Sequence, residues 1–356
     1  MSTSRTAAVP IRSVGQPETQ PDQVVRTNRV RAGGVALILA LIVVAGVMWS
    51  LTLGSQHIPI TKVPHALFND STTNDLIIRT IRMPRVALAL LVGAGLAVGG
   101  AVMQAIAGNP LAAPEIMGIN AGAVLVVVLG ITVLPSLNGA PTMLLAFAGA
   151  AVAGVSVLML AGSGRGRTSP VRLALAGVTA TSLLISVTQV LIIFHDNSSD
   201  SVLFWLVGGI NFASWADVRD VAPWIVIGLV GAFGLARSLN LISLGDDMAR
   251  GLGHKVERTR LIGGGLVIVL SGASVAVAGP IAFVGLIIPH IFRRVVGSNY
   301  AVLLPISAIG GMALLLYADI ATRYVRPPYE EPAGVITALI GAPIFIYLAR
   351  RQKAIR

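Results

Sequence analysis

The chain has no cysteine among its 356 residues. Disulfides, thiolate metal sites and cysteine nucleophiles are thereby excluded. Charge is scarce as well: Asp, Glu, Lys and Arg make up 12%, against about 25% in soluble domains. Aromatic residues are only 5%, so helix contacts have to rely on small side chains. The dipeptide Gly-Lys does not occur. A phosphate-binding loop of the GxxxxGK(S/T) kind, whose backbone N–H groups and lysine cradle phosphates, is therefore missing. HExxH, GxSxG and a paired-carboxylate constellation are missing too. Nothing supports a catalytic residue or a metal site.

What is present is apolar. Hydrophobic residues make up 55%, and mean hydropathy is +0.83. Most of the chain is expected to lie in lipid. The 39 glycines fit this, because Gly and Ala let helix backbones approach closely in a bilayer. The net charge of +11 does not indicate nucleic acid, because the Lys and Arg lie in short segments between apolar runs. Residues placed there set membrane orientation.

A spanning helix needs about 20 apolar residues, roughly 17–25. Runs near 33–53, 83–106, 116–134, 142–162, 173–194, 218–236, 261–279, 281–293, 301–322 and 333–349 predict ten spans. The run 281–293 is short and reads as a broken or half-depth helix. Val202–Ala213 is apolar but too short to span, and reads as interfacial or re-entrant. Residues 1–32 form a polar tail with too little apolar content to fold alone. No cleavable signal peptide is expected, since the first apolar run is long enough to span. The basic segments (this tail, Arg165–Arg172, the 237–260 loop, Arg293-Arg294 and the end of the chain) all fall on one side, the cytoplasmic one.

Two segments on the opposite side break the rule. One carries Arg79, Arg82 and Arg85; the other carries Arg323 and Arg326 before Pro327-Pro-Tyr-Glu-Glu331. Such arginines either snorkel to lipid phosphates or dock an acidic partner. Asn109-Pro110 stops the second apolar run, since proline removes a donor. Charged residues inside the spans are nearly absent. Asp319 and Glu115 fall near helix ends, and His290 follows Pro289. His290 is expected to pack or hydrogen-bond rather than to bind a ligand. No relay of the kind an ion-coupled secondary transporter needs is visible.

Several blocks carry a family resemblance. They are Arg82-Met-Pro-Arg85, Gly99–Ala123, Leu173–Val178, Met248–Gly253, Gly279–Gly297 and Asp319–Arg350. In this order they resemble the permeases of binding-protein-dependent ABC importers for iron-siderophore, haem and cobalamin, over roughly residues 35–352. The resemblance implies an all-α membrane protein of ten transmembrane helices with both termini cytoplasmic, the type II importer architecture. It implies pairing with a second copy or a paralogue, two cytoplasmic ATPase subunits that hold ATP and Mg, and an extracytoplasmic binding protein. No cofactor is implied on this chain.

By the same resemblance, Arg82, Arg85 and Arg323 dock the binding protein, with Arg79 and Arg326 strengthening the positive field. Asn109 and Leu111 form the cytoplasmic gate, with Ser169, Pro170 and Val171 as a second element. Ala249, Gly251, Leu252 and Gly253, within the 237–260 loop, couple to the ATPase. Met103 and Gln104 are candidates to face the pathway. The forms RPPYEEPAG and GPIAFVGLIIPH favour a ferric siderophore as cargo, with cobalamin or haem as the alternative.

Overall fold

The computed structural model describes residues 21–54, 58–68, 72–134, 140–162, 170–194, 207–325 and 330–353. Helix α1 (Pro21–Thr52) is followed by two short helices, α2 (Val63–Phe68) and α3 (Thr73–Ile77). A π-helical turn, Ile78–Arg82, leads without a break into α4 (Met83–Ile106). Next come α5 (Ile119–Val133), α6 (Ala140–Gly162), α7 (Pro170–Phe194) and α8 (Trp215–Ile242). The last five are α9 (Asp246–Gly251), α10 (Val256–Ala278), α11 (Val284–Val296), α12 (Tyr300–Val325) and α13 (Ala333–Lys353).

Ten of these helices correspond to the ten expected runs. Seven are long and apolar enough to cross a bilayer on composition alone; α5 and α13 carry shorter apolar stretches. Helix α11, the short run, has only 13 residues. A helix pairs most of its backbone groups internally, which is why helices suit lipid.

The centre of the bundle is α4. It packs against α12, α10, α8 and α11, and 20 of its residues are buried. A helix apolar on every side belongs inside. Its small residues allow that crowding. A Cβ on Gly100 would lie 1.9 Å from the Gly285 carbonyl oxygen, so only hydrogen fits where α4 meets α11. Helices α5, α6 and α7 form a neighbouring group, and α7 is exposed along most of its length.

Three boundaries differ from expectation. Helix α1 begins at Pro21, so residues 21–32 are helical rather than part of a tail. Helix α8 runs to Ile242 and α10 starts at Val256. The 237–260 loop therefore shrinks to 243–255, because polar helix formers such as Arg237 and Glu257–Arg260 carry both helices beyond the apolar zone. Third, Arg82-Met-Pro-Arg85 lies within a continuous helix rather than at its mouth. Residues 1–20, residues 202–206 of the 202–213 segment, Ser169 and Arg326 lie outside the described residues.

Candidate functional site

At one end of the bundle the three expected docking arginines meet. Arg82 and Arg85 are both buried, 4% and 5% exposed. Arg82 Nη1 donates to the Leu51 carbonyl at 2.6 Å. Arg85 Nε donates to both Asp319 oxygens, at 2.8 and 3.0 Å, and its Nη1 pairs with Glu330. Arg323 donates to the Ser50 and Leu53 carbonyls at 2.8 and 3.0 Å, to Ser50 Oγ at 2.9 Å and to Asp319 at 2.8 Å. These arginines, expected to dock a partner, have their guanidiniums buried beneath the surface. A buried guanidinium needs acceptors, and the end of α1, Asp319 of α12 and Glu330 provide them. Removing one partner of such a pair costs about 3–5 kcal/mol. In the sequence Asp319 was marked only by its place near a helix end, and Glu330 only by its place in the segment after Arg326. Arg79 is half-buried, and its carbonyl accepts from Trp215 Nε1 at 2.7 Å.

Polar backbone interrupts the bundle interior. Between α10 and α11 the chain turns through Gly279 (φ 66°) and Phe283 (φ 70°). Phe283 precedes the first residue of α11, and its backbone lies close to the Glu115 carboxylate. From Val284 to Arg293 at about 1.5 Å per residue is roughly 14 Å, about half the ~30 Å hydrocarbon thickness. Glu115 lies near a helix end, as expected, in the short turn that leads into α5.

At the opposite end α4 stops at the expected place. Asn109 Oδ1 accepts the Leu111 N–H at 2.9 Å, and the Asn109 carbonyl accepts the Ala112 N–H at 3.0 Å. This local turn replaces the bonds that Pro110 cannot make. Asn109 is exposed and Leu111 half-buried. A recess of about 350 Å³ joins Met103, Asn109, Ala112 and Ile116 to Val171 and Leu173 at the start of α7. The two expected gate elements, Asn109 and Val171, therefore share one cavity. Met103 lines it. Gln104 does not: Nε2 donates to the Leu286 carbonyl at 3.1 Å and Oε1 accepts from Arg293 at 3.2 Å. His290 is buried and interacts with the Pro110 backbone.

The 243–255 connection holds a helix–Gly–helix element. Helix α9 has six residues, and Gly253 follows with φ 77°, which a side chain would strain. Ala249 is fully buried, while Gly251 and Gly253 are exposed. Leu244, Met248 and Leu252 stand 55%, 60% and 65% exposed, an apolar tip that is uncovered among the described residues. Arg260 of α10 grips Asp246 with two bonds of 2.9 Å, and its Nε donates to the Ile106 carbonyl at 3.1 Å. One side chain thus joins α9, α10 and the end of α4. Sequence reasoning missed Arg260. Arg250 pairs with Glu257 at 2.8 Å, and that hydrogen bond raises the guanidinium pKa.

The geometry is that of a membrane helix bundle with a charged cluster at one end and an apolar protrusion at the other. The FecCD transport family matches residues 41–351. The chain is 45% identical over 321 residues to the Fe(3+)-citrate import system permease protein YfmD of Bacillus subtilis, covering 90% of this chain and 95% of that one. It is 40% identical over 338 residues to the Iron(3+)-hydroxamate import system permease protein FhuB of the same organism, covering 94% and 88%. A solved structure described as an inward-facing conformation of a metal-chelate type ABC transporter superposes with a TM-score of 0.80 at 28% identity, over 90% of this chain and 99% of that one. The chain therefore belongs to the FecCD transport family, as a multi-pass permease of the cell membrane.

Proposed function

We propose that the chain is the membrane subunit of an ABC importer that carries a ferric chelate, a siderophore complex or ferric citrate, into the cytoplasm. The observation that carries this reading is the match to two iron-chelate permeases over about nine-tenths of the chain. Cytoplasmic ATPase subunits supply the energy and hold ATP and Mg, since this chain has no Gly-Lys for a phosphate loop.

The coupling role falls to α9. Its apolar tip, Leu244, Met248 and Leu252, suits a groove in the ATPase. Ala249, Gly251 and Gly253 keep the element small. Movement of α9 is passed by Arg260 to the end of α4, three residues before Asn109. Asn109, facing Val171 across the recess, and Leu111, packed against Ala113, Leu286 and Ile287, then act as the cytoplasmic gate. An extracytoplasmic binding protein delivers the chelate at the end that holds Arg82, Arg85 and Arg323. Guanidinium groups recognise carboxylates through forked, charge-assisted bonds. A second copy of the chain, or a paralogue, covers the exposed face of α7, and the pathway runs between the two.

Uptake tests the reading. Cells lacking the gene are given labelled ferric citrate, ferric hydroxamate, cobalamin and haem under iron limitation. Loss of ferric-chelate uptake alone, restored by the gene, is the expected result. Loss of cobalamin or haem uptake instead would keep the machine and change the cargo.

A further inference from the structure

Arg85 is held by two carboxylates of different kinds. Asp319 belongs to α12, is 1% exposed, and lies within 3.0 Å of Nε through both oxygens. Glu330 belongs to the connection between α12 and α13, and its side chain is 32% exposed. Asp319 is locked in, because it also holds Arg323. Glu330 reaches in from the surface, and its field acts on Arg82 and Arg323 as well as on Arg85.

Three guanidiniums against these two carboxylates leave a net positive charge of one on the named groups. Donor capacity is left over too. Arg323 Nε has no hydrogen-bond partner among the described residues, and Arg85 Nη2 lies 2.8 Å from Asp319 without hydrogen-bond alignment. A half-exposed carboxylate regains water when it swings out, so its departure costs little compared with that of a buried one.

We infer that Glu330 is a resident substitute for an acidic side chain of the binding protein, and that docking exchanges one for the other on Arg85. This rests on the docking role proposed above. The arriving Asp or Glu meets a guanidinium already oriented by Asp319, so little ordering is left to do. The exchange also has an outlet. Asn211 Nδ2 donates to the Glu330 and Glu331 carbonyls at 3.2 and 3.3 Å. Close by, the Gly334 N–H donates to Gly208 at 2.9 Å and the Gly209 N–H to Ala278 at 2.7 Å. Ala278 ends α10, whose other end adjoins α9. Release of Glu330 is thus felt along a rigid helix that reaches the coupling element.

The test is the affinity of the cognate binding protein for the nucleotide-free transporter in lipid nanodiscs. Glu330→Gln is expected to tighten docking about tenfold, because the competitor is gone. The same change should have no effect in an Arg85→Gln/Asp319→Asn background, where the buried pair is neutral on both sides. Thermal unfolding of each variant checks that it is folded. If Glu330→Gln leaves affinity unchanged or weakens it while Arg323→Gln weakens it, docking at the cluster stands and the exchange is overturned. If Arg323→Gln and the neutralised Arg85 pair both leave affinity unchanged, the docking role falls and the exchange falls with it.

Discussion

Arg260 binds Asp246 through two hydrogen bonds of 2.9 Å. The pair fastens the first turn of α9 to α10, and the same guanidinium holds the Ile106 carbonyl of α4 at 3.1 Å. A displacement of α9 therefore has a direct mechanical route to the helix that ends at Asn109. Arg260→Gln or Asp246→Asn should leave membrane abundance and ATPase assembly near normal while lowering transport per ATP hydrolysed by about tenfold. The reversed pair, Asp246→Arg with Arg260→Asp, should recover part of the loss. Uptake and hydrolysis measured on one preparation check it; equal loss of both would point to assembly rather than coupling.

The apolar tip of α9 gives a second expectation. Leu244, Met248 and Leu252 are exposed here, and burial of one such side chain is worth about 1.5–3 kcal/mol. Leu252→Asp should cut copurification of the ATPase by at least about tenfold. Exposed polar positions on the same connection, such as Ser243→Asp, should not.

Packing at α4 sets a third. Gly100→Val places carbon where the Gly285 carbonyl already sits. Overpacking of this kind costs about 1–3 kcal/mol or more, and the backbone on both sides leaves no soft neighbour to yield. The variant should accumulate poorly in membranes. Gly251→Ala, whose Cβ meets nothing within 4 Å, should accumulate normally.

The Arg85–Asp319 pair sets a fourth. Asp319→Asn should destabilise by about 3–5 kcal/mol, since it strands buried positive charge. Arg85→Met with Asp319→Leu should regain much of the thermal stability and still fail to transport. Unfolding temperature and uptake, read side by side, separate the two roles.

Much of the architecture was legible because a bilayer imposes a length on each apolar run, and α11 announced itself by falling short of it. The gate turn was legible because Asn109-Pro110 is a local signal. The burial of the arginines was not. Their acceptors are remote in sequence: Asp319 is 234 residues from Arg85 and Glu330 is 245. Arg260 was invisible for the same reason, lying 154 residues from Ile106. The approach of Glu115 to the Phe283 backbone before α11 was not legible either, because the two are remote in sequence. Helix ends beyond the apolar zone, at Ile242 and Val256, were missed because hydropathy stops at the lipid boundary while helical hydrogen bonding does not.

The most direct measurement is accumulation of a labelled ferric chelate in liposomes that contain the purified permease with its ATPase. The binding protein is supplied outside, and ATP is present or absent inside. Uptake that requires internal ATP, falls about tenfold per ATP hydrolysed with Arg260→Gln and is indifferent to proton or sodium gradients is the predicted result. Uptake driven by an ion gradient without ATP or ATPase would contradict the ABC importer reading and make the chain a secondary transporter.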